Sequence, residues 1–340
     1  MPVTRSFTNA FEITDYSQEL ITVPNTWGLI NQLGIFSSEG VSQNTITVES
    51  TGGTLGLLTD QVRGTRSNVS KDETRSLRSF VIPHFNMDDA IKPEDLQGKR
   101  AFGSADAAET EAAVMARKLL RIRRTHAATM EAARAQVLTA GTIYAPNGTV
   151  SGNYFTEFGV TQKVVDFVLG TSTTEVIEKG EEALAHSQDN LLSGESPSQF
   201  VALCSPQFFA KLIKHATIKE AYKYYQSTQS PLRERLGIGA GTRTFDHGGV
   251  TYIEYRGTTP AGAQFIPAND AVLIPMGTMD SFKTYLGPAN KLSYANTIGE
   301  EAYVFTYRSP TDTEIKIETE TNLLNVLRRP GCVVRLTSSN

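Results

Sequence analysis

The sequence predicts an α+β fold from three features: one helix much longer than the rest, strand segments that rarely alternate with helices, and a hairpin-like stretch too long to stand alone. The helix is the clearest. Asp106-Ala-Ala-Glu109 has the capping-box pattern, no Gly or Pro interrupts Ala107–Thr139, and Gly141 supplies a stop. Met115, Leu119, Ile122, His126, Met130, Ala133 and Val137 recur at spacings of three and four and so share one face. At 1.5 Å per residue the helix is about 50 Å long, a spine for an extended molecule.

Ahead of it, residues 1–47 scatter single apolar residues such as Phe7, Phe11, Ile13 and Tyr16 without a period, as an extended arm would, with a short helix near Trp27–Leu33. Strands are expected at Thr45–Val48, Thr54–Leu58 and Leu77–Ile82, separated by Gly52-Gly53 and a charged tip from Arg63 to Arg75. A hairpin of this length is marginal in water, so it needs a surface to lie on, and a neighbouring subunit is the expected one. Behind the long helix, Ile143–Val150 and Asn153–Phe155 flank a turn at Asn147-Gly148. Helices follow at Thr173–Leu192, Pro206–Ala216 and Ile218–Tyr225, with strands at Phe200–Cys204, Val250–Tyr255, Ala271–Ile274, Ala302–Tyr307, Ile315–Thr319 and Val333–Leu336. The final strand is expected to join the sheet on which the spine packs.

Composition narrows the class. With 340 residues, 39% hydrophobic and 20% charged, the chain can bury more than one core, and a net charge of −4 argues against a dedicated nucleic-acid binder. Met1–Ala10 lacks the apolar core of a signal peptide, and Ala271–Met276 is far too short to span a membrane. The protein is expected in a cytosol or in something assembled there.

No constellation points to catalysis, a metal or a cofactor. Gly237-Ile-Gly-Ala-Gly241 lacks the Lys-Ser/Thr tail of a phosphate-binding loop and reads as a flexible loop. The five histidines, His84, His126, His186, His215 and His247, include no pair at metal-ligand spacing beside a carboxylate. Cys204 and Cys332 lie in apolar runs and read as buried small hydrophobes. Asp88-Asp89 and Glu94-Asp95 read as solvated turn residues. Arg117, Lys118, Arg121, Arg123 and Arg124 form a basic flank beside the apolar stripe, expected to be solvated or salt-bridged to another subunit, with contact to nucleic-acid phosphates second.

Four stretches, in this order, are similar to the lambda-like major capsid protein family of tailed phages, the gpE family. They are Val201–Leu212, Phe245–Arg256, Ala271–Gly277 continued by Phe282 and Tyr285-Leu-Gly-Pro288-Ala289, and Glu320–Val326 followed by Arg329-Pro330. The resemblance implies an HK97-like capsid fold divided into an N-terminal arm (1–47), an extended loop (48–85), a peripheral domain (86–160) holding the spine helix (107–139), an axial domain (161–318) and a C-terminal return (319–340). It further implies a virion subunit, assembled in the host bacterial cytoplasm as pentamers and hexamers around double-stranded DNA. Decoration, scaffolding and portal proteins would be further partners. Subunit contacts are then expected at Leu57, Arg63, Arg66, Arg75 and Arg78 on the loop and at Arg121 and Arg124 on the spine. The alternatives are an encapsulin-type shell around protein cargo, a nucleotide-dependent enzyme using Gly237–Gly241, and a tail-tube protein, which needs no spine.

Overall fold

The computed structural model of the chain describes residues 14–15, 28–52, 74–97, 110–143, 152–191, 195–219, 242–258 and 262–340. Two mixed sheets carry the fold, and a separate two-stranded ribbon projects beside them. The first sheet runs β1 (Thr14–Asp15), β12 (Tyr303–Arg308), β13 (Ile315–Leu327), β11 (Phe282–Leu286), β2 (Ser37–Gly40), and β5 (His84–Ile91) also pairs with β13. The second runs β6 (Val164–Asp166), β14 (Val334–Thr337), β10 (Asp270–Met276), β7 (Gln199–Cys204), β9 (Val250–Glu254), β8 (Thr244–His247). The ribbon pairs β3 (Thr45–Gly52) with β4 (Thr74–Val81) in antiparallel register from Thr45↔Val81 to Gly52↔Thr74.

The second sheet is buried on both faces, and strict alternation divides its side chains between two cores. On β7, Phe200, Ala202 and Cys204 face one core and Val201 and Leu203 the other. On β10, Ala271 and Leu273 face the first and Val272 and Ile274 the second. The first of these cores is closed by α5 (Val176–Asp189) and α6 (Pro206–Lys214), through Val176, Ala183, Phe208, Phe209 and Leu212. Pro206 at the first helical position and the Ser205 hydroxyl, which accepts the Phe208 N–H at 3.3 Å, set the start of α6.

The spine is α3 (Glu111–Ala140), 30 residues and about 45 Å long. It begins later than the capping box at Asp106 predicts, because Thr110 is extended (φ −106°, ψ 149°) and its hydroxyl caps the Ala113 N–H. Gly141 ends it in the left-handed region at φ 65°, as expected. The expected stripe is the buried face: Leu119 and Ile122 pack with Ile91, Val304 and Ile317, Met130 and Ala133 with Leu286 and Leu323, and Val137 joins the core shared with the second sheet. The helix therefore lies along β13 and β5 of the first sheet.

The C-terminal strand is not part of that packing. β14 pairs with β10 and β6 in the second sheet, where Val334 and Leu336 are buried and Arg335 bonds Asp270. Strand β13 is also longer than the expected Ile315–Thr319, running 13 residues, and β11 and β12 both sit beside it. Short elements complete the body: α1 (Leu29–Leu33), α2 (Pro93–Leu96) and α4 (Tyr154–Glu157). The Asn147-Gly148 turn lies outside the described residues, but its flanks meet at Thr142↔Asn153, after which Asn153 caps α4 where a strand was expected.

Candidate assembly surface

The ribbon has two different faces, and its register decides which residues share each. Ile46 opposite Phe80 and Val48 opposite Arg78 face the body, where Val48, Phe80 and Ile82 are buried in the shared core. The base of the projection is thus supported by its own subunit, contrary to the expectation that it lies wholly on a neighbour. The opposite face carries Thr45 with Val81, Thr47 with Ser79 and Glu49 with Leu77, and it is open: Leu77 is 70% and Val81 68% exposed. Large apolar side chains at that exposure, four residues apart on one strand, are a candidate contact surface.

A second apolar feature adjoins it. The loop between β11 and β12 presents Leu292, 99% exposed, and with Pro288, Ala289, Val81 and Ile82 it lines a cleft at the ribbon's base. Ile298 on the same loop is also exposed. Sequence reasoning misses this loop because Leu292 and Ile298 stand singly among Ser, Asn, Thr and Gly, with no period to draw attention to them.

Of the expected contact residues, Leu57, Arg63 and Arg66 lie outside the described residues. Arg75 is on β4 opposite Thr51, with its side chain outside the description. Arg78 is turned toward its own subunit, its guanidinium 5.1 Å from the Phe158 ring centre. Arg121 and Arg124 are exposed on α3. The rest of the basic cluster divides. Arg123 is buried and bonds Glu301 at 3.0 Å. Lys118 reaches Asp89 at 2.9 Å, the Ala90 carbonyl at 2.6 Å and Asp95 at 3.6 Å. Asp88 and Asp89 consequently belong to β5 and not to a solvated turn, while Asp95 accepts the Lys92 N–H at the start of α2.

The histidines have structural partners. His84 bonds Asn322, the His186 ring lies 3.4 Å from the Asn190 amide nitrogen, His215 uses both ring nitrogens on Thr217 and the Thr171 carbonyl, and His247 stacks on Phe245. His126 faces the Thr319 hydroxyl at 2.9 Å, and burial, with Arg123 nearby, pushes its pKa down to about 4. Both cysteines are free and buried, and burial raises both thiols, Cys332 to about 12. Among the described residues no group of three His, Cys, Asp or Glu side chains could hold a metal, and no helix is long and apolar enough to cross a membrane. Gly237–Gly241 lies outside the described residues.

A family model described as phage major capsid protein E matches residues 12–338. The chain is 46% identical over 343 residues to the major capsid protein of Pseudomonas phage KPP10, covering 97% of each chain. It is 29% identical to the major capsid protein of Salmonella phage Felix O1, covering 98% of this chain and 97% of the other. Among solved structures it is similar to the mature capsid of bacteriophage PhiM1, with TM-score 0.55, 14% identity, and 93% of this chain and 88% of that one covered. The capsid of cyanophage P-SCSP1u gives a TM-score of 0.53 at 10% identity, with 90% and 87% covered. At such identities the structural likeness concerns the fold.

Proposed function

Because this chain belongs to the phage major capsid protein E family, we propose that its copies associate as pentamers and hexamers into a closed icosahedral head around double-stranded DNA, held by non-specific contact. That it is a capsid subunit of the virion with an HK97-like fold is the premise; the capsomer numbers, the DNA and assembly in the host cytoplasm are the proposal. The observation that carries it is the two-sided ribbon: its inner face rests on its own subunit while Leu77 and Val81 stay open for another. Leu57, Arg63, Arg66 and Arg75 on the loop, and Arg121 and Arg124 on the spine, are proposed to extend that contact, and the arm, loop, peripheral, axial and C-terminal divisions are proposed as its working parts. Decoration, scaffolding and portal proteins are proposed as further partners.

We propose no catalytic step, on the ground that, among the described residues, the histidines have hydrogen-bond or ring partners and both cysteines are buried. The family argues for a phage head over a cargo shell or a nucleotide-dependent enzyme. Electron microscopy of the overexpressed full chain tests the reading. Closed shells of fivefold and sixfold capsomers are expected; open tubes or dispersed monomers under every salt condition would overturn it.

A further inference from the structure

Glu131, on the third-last turn of α3, is 1% exposed, yet its carboxylate serves two distant parts of the chain. It accepts the N–H groups of Ile30 at 2.9 Å and Asn31 at 3.1 Å, in the first turn of α1. It also accepts the Tyr255 hydroxyl at 2.9 Å, from the residue that follows β9 in the second sheet. Gly28, just before α1, makes the approach possible: its φ is +88°, and a Cβ there would lie 2.3 Å from the carboxyl carbon. Arg134, three residues along the spine, adds a parallel link, donating to Asn31 Oδ1 at 2.5 Å and to the Thr284 hydroxyl of β11 at 3.2 Å.

We propose that Glu131 is a coupling latch: the seating of the Gly28–Leu33 turn on the spine and the seating of the second sheet's β9 end on the spine are one event, so loosening either loosens the other.

The physical basis is a shared, desolvated acceptor. A carboxylate in water keeps its partners when one is lost, because water replaces it; here burial pushes the Glu131 pKa upward and only the three donors and Arg134 act against that. Removing the tyrosine hydroxyl leaves the charge under-bonded at the end that also holds the turn. The neighbouring charges do not supply a substitute, because Arg243 and Arg256 both bond Glu254.

Native-state hydrogen exchange on the full chain, read by mass spectrometry on fragments covering 28–34 and 250–257, tests the latch. Tyr255→Phe is expected to lower protection of the Ile30 and Asn31 amides by about tenfold, inside the usual range of coupling free energies. Glu131→Gln, which keeps the shape and removes one acceptor oxygen, is expected to lower protection of both fragments. Tyr252→Phe is the control: this tyrosine is buried on β9, three residues before Tyr255, but packs in the core on the far side of the sheet, and its loss is expected to leave 28–34 unchanged. The proposal is overturned if Tyr255→Phe leaves 28–34 as protected as in the parent, or if Tyr252→Phe exposes 28–34 equally, which would mark general loosening. Neither result depends on whether the chain forms shells.

Discussion

Reversing charge or apolarity around the spine should separate stability from assembly within one turn of helix. Ile122 is 0% exposed and packs with Ile91, Val304 and Ile317; truncation to Ala should cost roughly 2–5 kcal/mol through lost burial and the cavity left. Ile122→Asp adds an unpaired buried charge worth several kcal/mol more, enough to unfold a domain of ordinary stability, about 5–15 kcal/mol. Arg121→Glu and Arg124→Glu replace exposed side chains and should shift stability by about 0.5 kcal/mol or less. Arg123→Ala should fall between, at about 2 kcal/mol. It strands Glu301, but that carboxylate is 37% exposed and water recovers part of the loss from the 3–5 kcal/mol of a fully buried pair. Circular dichroism melts of the unassembled protein rank the four positions, and electron microscopy then scores those that fold. The expected pattern is native melts with impaired or salt-shifted assembly for Arg121 and Arg124, a lowered melt for Arg123, and no folded protein for Ile122→Asp. Native melts for Ile122→Asp beside unfolded Arg121 or Arg124 variants would refute the docking of the helix.

Acid should weaken the fold through His126. Its folded pKa of about 4 lies below the ordinary 6.5, so the unfolded chain takes the proton first; stability is full above pH 6.5 and falls until about pH 4, by a maximum of roughly 3 kcal/mol. Denaturant melts across that window should flatten in His126→Gln, and an unchanged slope would remove His126 as the cause. Leu77→Ser with Val81→Ser should leave the melting temperature within a few degrees of the parent and block shells, as read by gel filtration and microscopy; normal particles would show the open ribbon face to be unused. Phe80→Ala, on the opposite face of the same strand, should instead lower stability by about 3–5 kcal/mol before assembly is reached.

Which parts of this fold can be read from sequence depends on whether an element's reason for existing is local. Strands β7 and β10 are legible because burial on both faces makes them unbroken apolar runs. The spine's face is legible because a stripe needs only spacing, but its start is not: Asp106 and Thr110 both offer a capping side chain, and nothing local selects between them. β13 is half legible. Past Thr319 it reads Glu-Thr-Asn, which breaks the alternation, and the groups that make those residues acceptable inside come from remote stretches: the Asn290 N–H for Glu320, His84 and the Pro288 carbonyl for Asn322, and Thr284 for Asn325. The contact surface is the least legible. Charge draws attention to arginines, two of which, Arg78 and Arg123, face their own subunit, while the exposed Leu292 looks in sequence like any core leucine.

The placement of the last strand shows what holds the two sheets to one another. After β13 leaves the first sheet, Pro330–Cys332 turns the chain, and β14 inserts between β10 and β6 of the second. The turn is fixed from the second sheet's side, since the Ser187 hydroxyl of α5 donates to the Cys332 carbonyl at 2.6 Å. A C-terminal return that ended on the spine would still leave the sheets joined by the short β10–β11 connection (277–281), by the shared core around Val137 and Leu138 and by the contact at Glu131, but not by the last strand. Instead a covalent crossing, a core and a buried carboxylate all join them near the C-terminal end of the spine. The open ribbon face and the exposed arginines of the spine lie outside this joint, where another subunit can reach them without disturbing it.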